Sequence, residues 1–393
     1  MSEDKIVTTQ TEPVEVGRGE DRQALAREYA RIQRLFFTVE LCVSLLLMVG
    51  FLVSGASRWF KLWLFDAGVT NAWVLVGVYA GALFVGYTLF FLPFSWRRGY
   101  VVPHRYHLST QTVRGWWTDE LKILGLGLVF GVPLAEVVYW LLRAYPETWW
   151  LWAAAVLIAF SVLLGFLMPV MILPLFYKLV PLEDAVLTAR IQQLAERTGH
   201  RIAGVYTINL SSRTTAANAM VIGMGATKRI ALGDTLYETY TPEEIETILA
   251  HELGHQVHHD MELSVLVQSG LWLGSLYLAQ RFLQWGIVRF GFDGPGDVAA
   301  LPLLVLAVAL FSFVSLPLIN GYSRWRERLA DRFALRVTGN AEAFARAMMR
   351  LAHQNLAELD PPVWVVWLLH DHPPIRERIQ MAISWTVSEG GKL

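Results

Sequence analysis

Residues 251–255 read His-Glu-Leu-Gly-His, and this stretch says more about the protein than any other part of the chain. On a helix, histidines four residues apart lie on one face, about 6 Å apart along the axis. Both imidazoles could therefore bind one tetrahedral zinc ion at about 2.0–2.1 Å. Glu252 could then take a proton from water at the open zinc position as a peptide carbonyl is attacked. The pattern predicts a metalloprotease site with His251 and His255 as ligands and Glu252 as general base. The alternative is two surface histidines on an ordinary amphipathic helix.

The residues before this stretch predict the helix that such a site requires. Thr241 is suited to the N-cap, Pro242 to the first helical position, and Glu244 to closing a capping box. Apolar residues then recur at helical spacing up to His251. The two histidines are therefore expected to share a helix face.

The composition predicts a protein that crosses a membrane several times. The chain has 393 residues, of which 54% are hydrophobic and 17% charged, and it contains 16 tryptophans. Soluble domains rarely have this balance, whereas multispanning membrane proteins require it. The formal net charge of −1 gives no reason to expect a nucleic-acid partner. Cys42 is the only cysteine, so disulfide frameworks and cysteine zinc sites are excluded.

Six apolar stretches are long enough to cross a hydrocarbon layer of about 30 Å. They are residues 35–56, 72–95, 121–142, 149–177, 262–281 and 299–320. Pro169 and Pro174 are expected to kink or end the fourth. Basic residues are concentrated before the first span and in the 96–120 loop, so the positive-inside rule places both termini and residues 180–260 in the cytosol. We expect an integral protein of a cell inner membrane or an endoplasmic-reticulum-type membrane, in contact with membrane lipids.

The spans divide the chain into five expected parts. A flexible tail and basic helix (1–34), without a secretory signal peptide, precede four spans with the cytosolic loop 96–120 (35–180). The cytosolic metalloprotease segment (181–261), two further spans (262–321) and a cytosolic segment (322–393) follow. Within the metalloprotease segment, a helix over 181–197 should precede strands at 202–209, 216–223 and 228–232, the last two joined by a turn at 223–227.

A catalytic zinc ion needs a third protein ligand, and the sequence offers Glu327. Position 261, where a third histidine of an extended motif would fall, is Met261. Glu327 and Asp331 are four residues apart and would share a helix face, so Glu327 could bind zinc while Asp331 accepts the outer N–H of a ligating histidine. The alternative is a charged juxtamembrane helix that forms its own ion pairs. The predicted spans and strands together indicate a mainly α fold class, a helical transmembrane bundle with a cytosolic zinc protease domain that contains a small β-sheet. With Glu327 as the third ligand, this domain would be gluzincin-like.

Several segments of the chain resemble the integral-membrane zinc metallopeptidases that include type I CAAX prenyl proteases and HtpX-like proteases. After HELGH and an intervening pair of spans comes Glu-x-x-Ala-Asp at 327–331, as in that family. Agreement is greater with the CAAX prenyl protease branch and extends in order over about residues 95–385. The further shared segments are Pro174-Leu175-Phe176 with Lys178, Asn218-Ala219, residues 228–236 (KRIALGDTL), and His372-Pro373-Pro374-Ile375 with Glu377-Arg378.

The resemblance implies roles for individual residues. His251, His255 and Glu327 would hold one Zn²⁺ per chain, with Glu252 as general base. Asn218 and His372 would hold substrate and the developing oxyanion, a contribution of two to three orders of magnitude in rate. Read from the residues alone, Asn218 is a turn or strand-edge residue and His372 an N-cap before a helix. The implied substrate is a peptide or protein, with prenylated C-terminal tails as the family's substrates.

Two departures from the family pattern stand out. Met220 replaces the usual Tyr after Asn-Ala, and six predicted spans compare with seven in eukaryotic members. His258 and His259 could compete for metal, although solvated residues at the membrane surface are the simpler interpretation. Residues 363–369 are too short to span, and we expect them to pack on the membrane surface or roof the cleft.

Three other functions compete with a cytosol-facing zinc endopeptidase. An HtpX-like quality-control protease would clip membrane or lipid-associated proteins. An intramembrane-cleaving protease would place HELGH inside a span, which the charged flanks of 242–260 disfavour. A transporter or scaffold with a structural zinc would need four protein ligands, and Glu252 would have no purpose there.

Overall fold

The computed structural model describes residues 13–223 and 228–390. It is mainly helical with one small mixed sheet, which confirms the predicted fold class. The N-terminal tail before residue 13 and most of the predicted 223–227 turn lie outside the described residues. The helices of the N-terminal part are α1 (Pro13–Val53), α2 (Ala56–Asp66), α3 (Ala72–Trp96), α4 (Val102–Arg105), α5 (Val113–Ala144), α6 (Trp149–Leu167) and α7 (Leu173–Phe176).

Within the described residues, five helices are long and apolar enough to cross a membrane. They cover Asp21–Val53, Ala72–Arg105, Val113–Ala144, Trp149–Phe176 and Val298–Thr338. Five of the six predicted spans fall in these helices. The α-helix of the fourth ends at Leu167 and continues as a π turn over Met168–Ile172, because Pro169 cannot continue the regular ladder.

The remaining predicted span, 262–281, lies inside a helix of 31 residues, Asp260–Phe290 (α11). This helix packs against α6 and against α12 (Leu301–Thr338). It carries Gln268, Ser275 and Gln280 and is not one of the five apolar helices. A sixth membrane crossing therefore stays a prediction.

The segment between the fourth and fifth apolar helices holds the sheet and several shorter helices. The strands are β1 (Leu179–Pro181), β2 (Gly204–Ile208), β3 (Ala219–Ile222) and β4 (Arg229–Gly233). Their order is β1-β2-β4-β3, with β2 and β4 parallel and the other neighbours antiparallel. β3 is thus an edge strand. The helices here are α8 (Ala185–Arg197), α9 (Asp234–Tyr237) and α10 (Pro242–Val257).

The start of α8 differs from the prediction. We expected this helix from residue 181, but residues 179–181 form β1, and Asp184 starts the helix by accepting a hydrogen bond from the Leu187 N–H at 2.9 Å. The end is as expected, since Gly199 adopts a left-handed conformation with φ of 75°. The three predicted strands are present: β2 and β3 are shorter at both ends than predicted, and β4 is shifted by one residue.

Two hydrophobic cores support this arrangement. One lies among the transmembrane helices and includes Tyr79, Tyr139 and Trp149. The other lies between the sheet, α8, α10, the end of α12 and the helices that follow it, and includes Ile230, Leu249 and Phe344. The last helices of the chain are α13 (Ala341–Gln354), α14 (Val363–Leu369) and α15 (Ile375–Gly390). α10 therefore sits on a packed domain and not among lipid-facing side chains.

Candidate metal centre and active site

The two histidines of HELGH project from α10 toward one point. The predicted capping box is present: Thr241 Oγ1 accepts from the Glu244 N–H at 3.3 Å, and Glu244 Oε2 accepts from the Thr241 N–H at 3.0 Å. The helix then runs without a break through His251 and His255. Their Nε2 atoms are 3.2 Å apart.

Glu327 reaches the same point from α12. Its Oε2 lies 3.2 Å from His251 Nε2, and its Oε1 lies 3.3 Å from His255 Nε2. Two ligands of one tetrahedral zinc ion, each at about 2.0–2.1 Å, are about 3.3 Å apart. Among the described residues, these three side chains form the cluster whose ligand atoms could hold a metal ion.

An unsatisfied oxygen supports a cation at this point. Glu327 is buried, and its Oε2 accepts no hydrogen bond from any part of the chain that the structure describes. A buried carboxylate oxygen without a donor is costly unless a cation neutralises it. Two imidazoles and one carboxylate also form a donor set that zinc prefers. The residues present therefore fit a bound zinc ion.

Close packing at Gly254 brings the two helices together. A Cβ atom at this position would lie 3.1 Å from Ala330 Cα and 3.3 Å from the Ala330 carbonyl oxygen. The missing side chain lets α12 approach α10 at the level of Glu327. The glycine inside HELGH is thus what allows a ligand from a distant part of the chain to reach the histidines.

His251 is oriented from behind by Asp331 and Arg378. Asp331 Oδ1 lies 2.8 Å from His251 Nδ1, as expected for Asp331 from its spacing to Glu327. Asp331 is fully buried and also accepts from Arg378 through Nε at 2.8 Å and Nη2 at 2.5 Å. An outer hydrogen bond of this kind fixes the tautomer and ring direction of a metal-binding histidine.

His255 has a corresponding pair, which the sequence did not predict. Its Nδ1 lies 2.7 Å from Asp260 Oδ2, and Asp260 Oδ1 accepts from Arg326 Nε at 2.5 Å. Arg326 also donates to the His258 carbonyl at 2.7 Å. His259, with φ of 54°, turns the chain so that Asp260 faces back toward the site. The sequence feature that could have indicated Asp260 as a partner of His255 is its position directly after His258 and His259, at the end of α10.

The site attracts positive charge. Burial opposes protonation of His251, but the carboxylates of Asp331 and Glu327 raise the pKa of this imidazole to about 9. A metal ion would take the place of that proton. Burial raises the pKa of the Glu252 carboxyl, although the neighbouring histidines oppose the shift. A carboxyl whose pKa is raised toward neutrality is suited to accepting and returning a proton.

The two residues implied to hold substrate lie on different elements. His372 Nε2 is 3.4 Å from Glu327 Oε1, and His372 Nδ1 is 2.8 Å from Asp371 Oδ1. It is not an N-cap residue, because α15 begins at Ile375. Asn218 is exposed just before the edge strand β3, and its carbonyl accepts from the Gly233 N–H at 2.9 Å.

Asn355, which no motif in the sequence marks, fixes the backbone next to Asn218. Its side-chain Oδ1 accepts from the Ala217 N–H at 2.9 Å, and its Nδ2 donates to the Ala217 carbonyl at 3.1 Å. The Asn355 side-chain amide thus bonds both the N–H and the carbonyl of Ala217, as the backbone of a neighbouring strand would. His258 and His259, by contrast, lie outside the metal-type cluster of the described residues, and His259 is exposed.

Comparison with known proteins identifies the family. Residues 181–386, more than half of the chain, match Peptidase family M48. The chain belongs to peptidase family M48. Residues 19–178 match a second family, described as CAAX prenyl protease N-terminal, five membrane helices. The predicted resemblance is therefore confirmed, and the chain is an integral-membrane zinc metallopeptidase.

The names of relatives of this M48 peptidase agree with the family assignment. It is 34% identical over 363 residues to a Bacillus subtilis protein named Uncharacterized metalloprotease YhfN, covering 91% of this chain and 85% of that protein. It is 30% identical over 302 residues to Probable CAAX prenyl protease 1 of Schizosaccharomyces pombe, covering 75% of this chain but only 62% of the yeast protein. The crystal structure of S. mikatae Ste24p has the same fold, with a TM-score of 0.82 at 24% identity, covering 92% of this chain and 89% of that one.

Membership in a peptidase family decides between a peptidase and a transporter or scaffold. It confirms a membrane zinc endopeptidase acting on a peptide or protein, and it gives no support to a transporter or scaffold with a structural zinc. α10, which carries HELGH, packs in the core formed with the sheet and α8 and is not one of the five apolar helices of the described residues.

Proposed function

We propose that His251, His255 and Glu327 hold one catalytic Zn²⁺, with Glu252 as the general base. The observation that carries this proposal is the buried Glu327 carboxylate, whose Oε2 lacks a hydrogen bond and which lies 3.2 and 3.3 Å from the two imidazole nitrogens. A bound zinc ion supplies Lewis acidity toward the carbonyl and lowers the pKa of water. The remaining steps fall to side chains of the chain itself.

Glu252 would accept the proton of the attacking water and pass it to the leaving amine. His372 and Asn218 would donate hydrogen bonds to substrate and to the oxygen that becomes negative. The Asp371 carboxylate raises the pKa of His372 and so favours the form that can donate from Nε2. Loss of one such donor typically lowers turnover by two to three orders of magnitude.

The peptide would bind in extended form beside β3. This strand pairs with β4 on one side and is an edge of the sheet, so its other side can accept an added strand. Main-chain hydrogen bonds of this kind tolerate varied sequences, while pockets select some side chains. Asn218, just before β3, and the Asn355 side chain that holds the neighbouring Ala217 backbone would set the position of the scissile carbonyl.

We further propose that the site faces the cytosol, with six spans and the five-part division of the chain given above. The substrate would be membrane-associated and carry an apolar group that stays at membrane depth, as the names of the prenyl protease relatives suggest. Lengthening that apolar group should lower KM in liposomes. Equal cleavage of a soluble polar peptide would argue against a membrane-anchored substrate.

Two substitutions test the catalytic proposal. Glu252→Gln should retain about one zinc per chain and lose hydrolysis, because it removes the base and leaves the ligands. Glu327→Ala should lose zinc as well. Glu243→Gln is the matched control, since this residue lies at the other end of α10 and pairs with Arg190 at 2.8 Å. Full zinc content and activity in Glu327→Ala would disprove the ligand assignment.

A further inference from the structure

Helix α14 belongs to a segment, residues 360–375, whose two ends are held together by contacts of Arg376. The Arg376 side chain pairs with Asp360, and the Arg376 N–H donates to the Leu359 carbonyl at 3.3 Å. We call residues 360–375 the α14 segment. His372, which lies next to Glu327, is on its returning limb. Anything that holds this segment in place therefore also holds a residue of the site.

Two buried side chains of α12 hold the end of α14. Asn320 Nδ2 donates to the Leu368 carbonyl at 2.7 Å. Arg324 Nη1 donates to the carbonyls of Val366 at 2.7 Å and His370 at 2.6 Å. These bonds satisfy the carbonyls that a helix end leaves free. Since Arg324 is one turn before Glu327, the α14 segment is fixed to the helix that carries the third ligand.

The outer face of α14 is apolar and exposed. Val363 is 85% exposed, Trp364 59% and Trp367 58%, whereas Val365 on the inner face is buried. A helix of seven residues has little stability of its own. Two exposed tryptophans on so short a helix need an apolar environment or a partner.

Two neighbouring helices show at what depth α14 lies. On α12, the exposed aliphatic side chains end with Leu318, which is 76% exposed, and the polar contacts of Asn320 and Arg324 begin within two turns. Trp325, the next large exposed apolar residue, is 51% exposed. On α1, Arg34 pairs at 2.6 Å with Glu358, just before the α14 segment, and Leu35 next to it is 63% exposed. Both helices change from polar to apolar at the level of α14.

We propose that the outer face of α14 contacts the phospholipid interface, and that this contact holds His372 over the metal centre. Tryptophan favours the boundary between headgroups and hydrocarbon, which matches the depth found on both helices. Beneath α14 lies a cavity of about 550 Å³ that reaches from Phe37 and Leu369 to His372. This proposal concerns lipid contact and does not depend on whether the substrate carries a lipid.

Depth can be measured with a spin label. In a Cys42→Ser background, Trp367→Cys and Val186→Cys would each be labelled in phosphatidylcholine nanodiscs. Val186, on α8, is 81% exposed and serves as the water-facing control. The label at 367 should collide more often with oxygen than with a water-soluble nickel chelate, and the label at 186 should show the reverse. Equal behaviour at the two positions would overturn the lipid contact, whatever the enzyme's activity.

The coupling to His372 needs a kinetic test. The double variant Trp364→Ser/Trp367→Ser should lower kcat for a water-soluble peptide in nanodiscs by about tenfold or more, with KM and zinc content unchanged. Trp59→Ser is the matched control, because Trp59 is 64% exposed on α2, away from the site. An unchanged kcat in the double variant would overturn the role of the lipid contact in holding His372.

Discussion

Replacing Asp260 by Asn should weaken zinc binding without touching a ligand. Asp260 uses its two oxygens for two partners, His255 Nδ1 at 2.7 Å and Arg326 Nε at 2.5 Å. Asn has a single acceptor oxygen, so one of the two partners would lose its hydrogen bond. Either loss frees the imidazole to rotate or to change tautomer.

The expected loss of zinc affinity is about 10- to 100-fold, the usual effect of removing an outer partner of a metal-binding histidine. This corresponds to about 1.4–2.8 kcal/mol. Asn is preferable to Ala here, because Ala would remove every acceptor that the buried Arg326 guanidinium has on residue 260, whereas Asn keeps one oxygen. The shape of the side chain is kept while its charge is lost.

The assay is competition for zinc between the purified protein in detergent and a chelator of known affinity, with the melting temperature measured in parallel. Glu262→Gln is the control, because this carboxylate is exposed and lies 3.9 Å from the exposed His259 ring. Affinity within twofold of the unmodified protein for Asp260→Asn, at an unchanged melting temperature, would refute the orienting role of this carboxylate.

Three further predictions concern helix packing, topology and substrate position. Gly254→Ala should lower zinc affinity in the same chelator competition, although Ala favours a helix, because its Cβ would meet Ala330 Cα at 3.1 Å and push α12 and Glu327 away. Unchanged affinity would mean that α12 adjusts freely. In a background without Cys42, a membrane-impermeant thiol reagent added to intact cells should label Asp66→Cys, which lies on the predicted outer side. It should not label Val186→Cys, and the reverse pattern would contradict the topology. Asn355→Ala should raise KM for peptides while zinc content stays constant, and equal KM values would show that this amide does not position β3.

Much of the site was predictable because it depends on local spacing. The capping box at Thr241 and the four-residue interval between His251 and His255 follow from helix geometry alone. Glu327 could be proposed because zinc needs a third ligand, because Glu327 and Asp331 share a helix face, and because the resemblance to the family's Glu-x-x-Ala-Asp segment implies this ligand. Its approach to α10 depends on close packing at Gly254, which spacing along the chain does not reveal.

The unpredicted parts depend on tertiary contacts. Asp260 and Arg326 are 66 residues apart, and Arg378 and Asp331 are 47 apart, so only the folded chain shows that they pair. β1 was missed because three residues ending in Pro181 carry no alternating pattern. Residues 363–369 are too few to give a helical period, and their tethering by Arg324 came only from the structure.

The central claim is that His251, His255 and Glu327 bind one zinc ion. Zinc K-edge X-ray absorption on the purified protein tests it most directly. We predict a shell with two imidazole nitrogens and carboxylate oxygen, and loss of the zinc signal in Glu327→Ala. A shell with three or four imidazoles, or an unchanged spectrum in Glu327→Ala, would contradict the proposed metal centre.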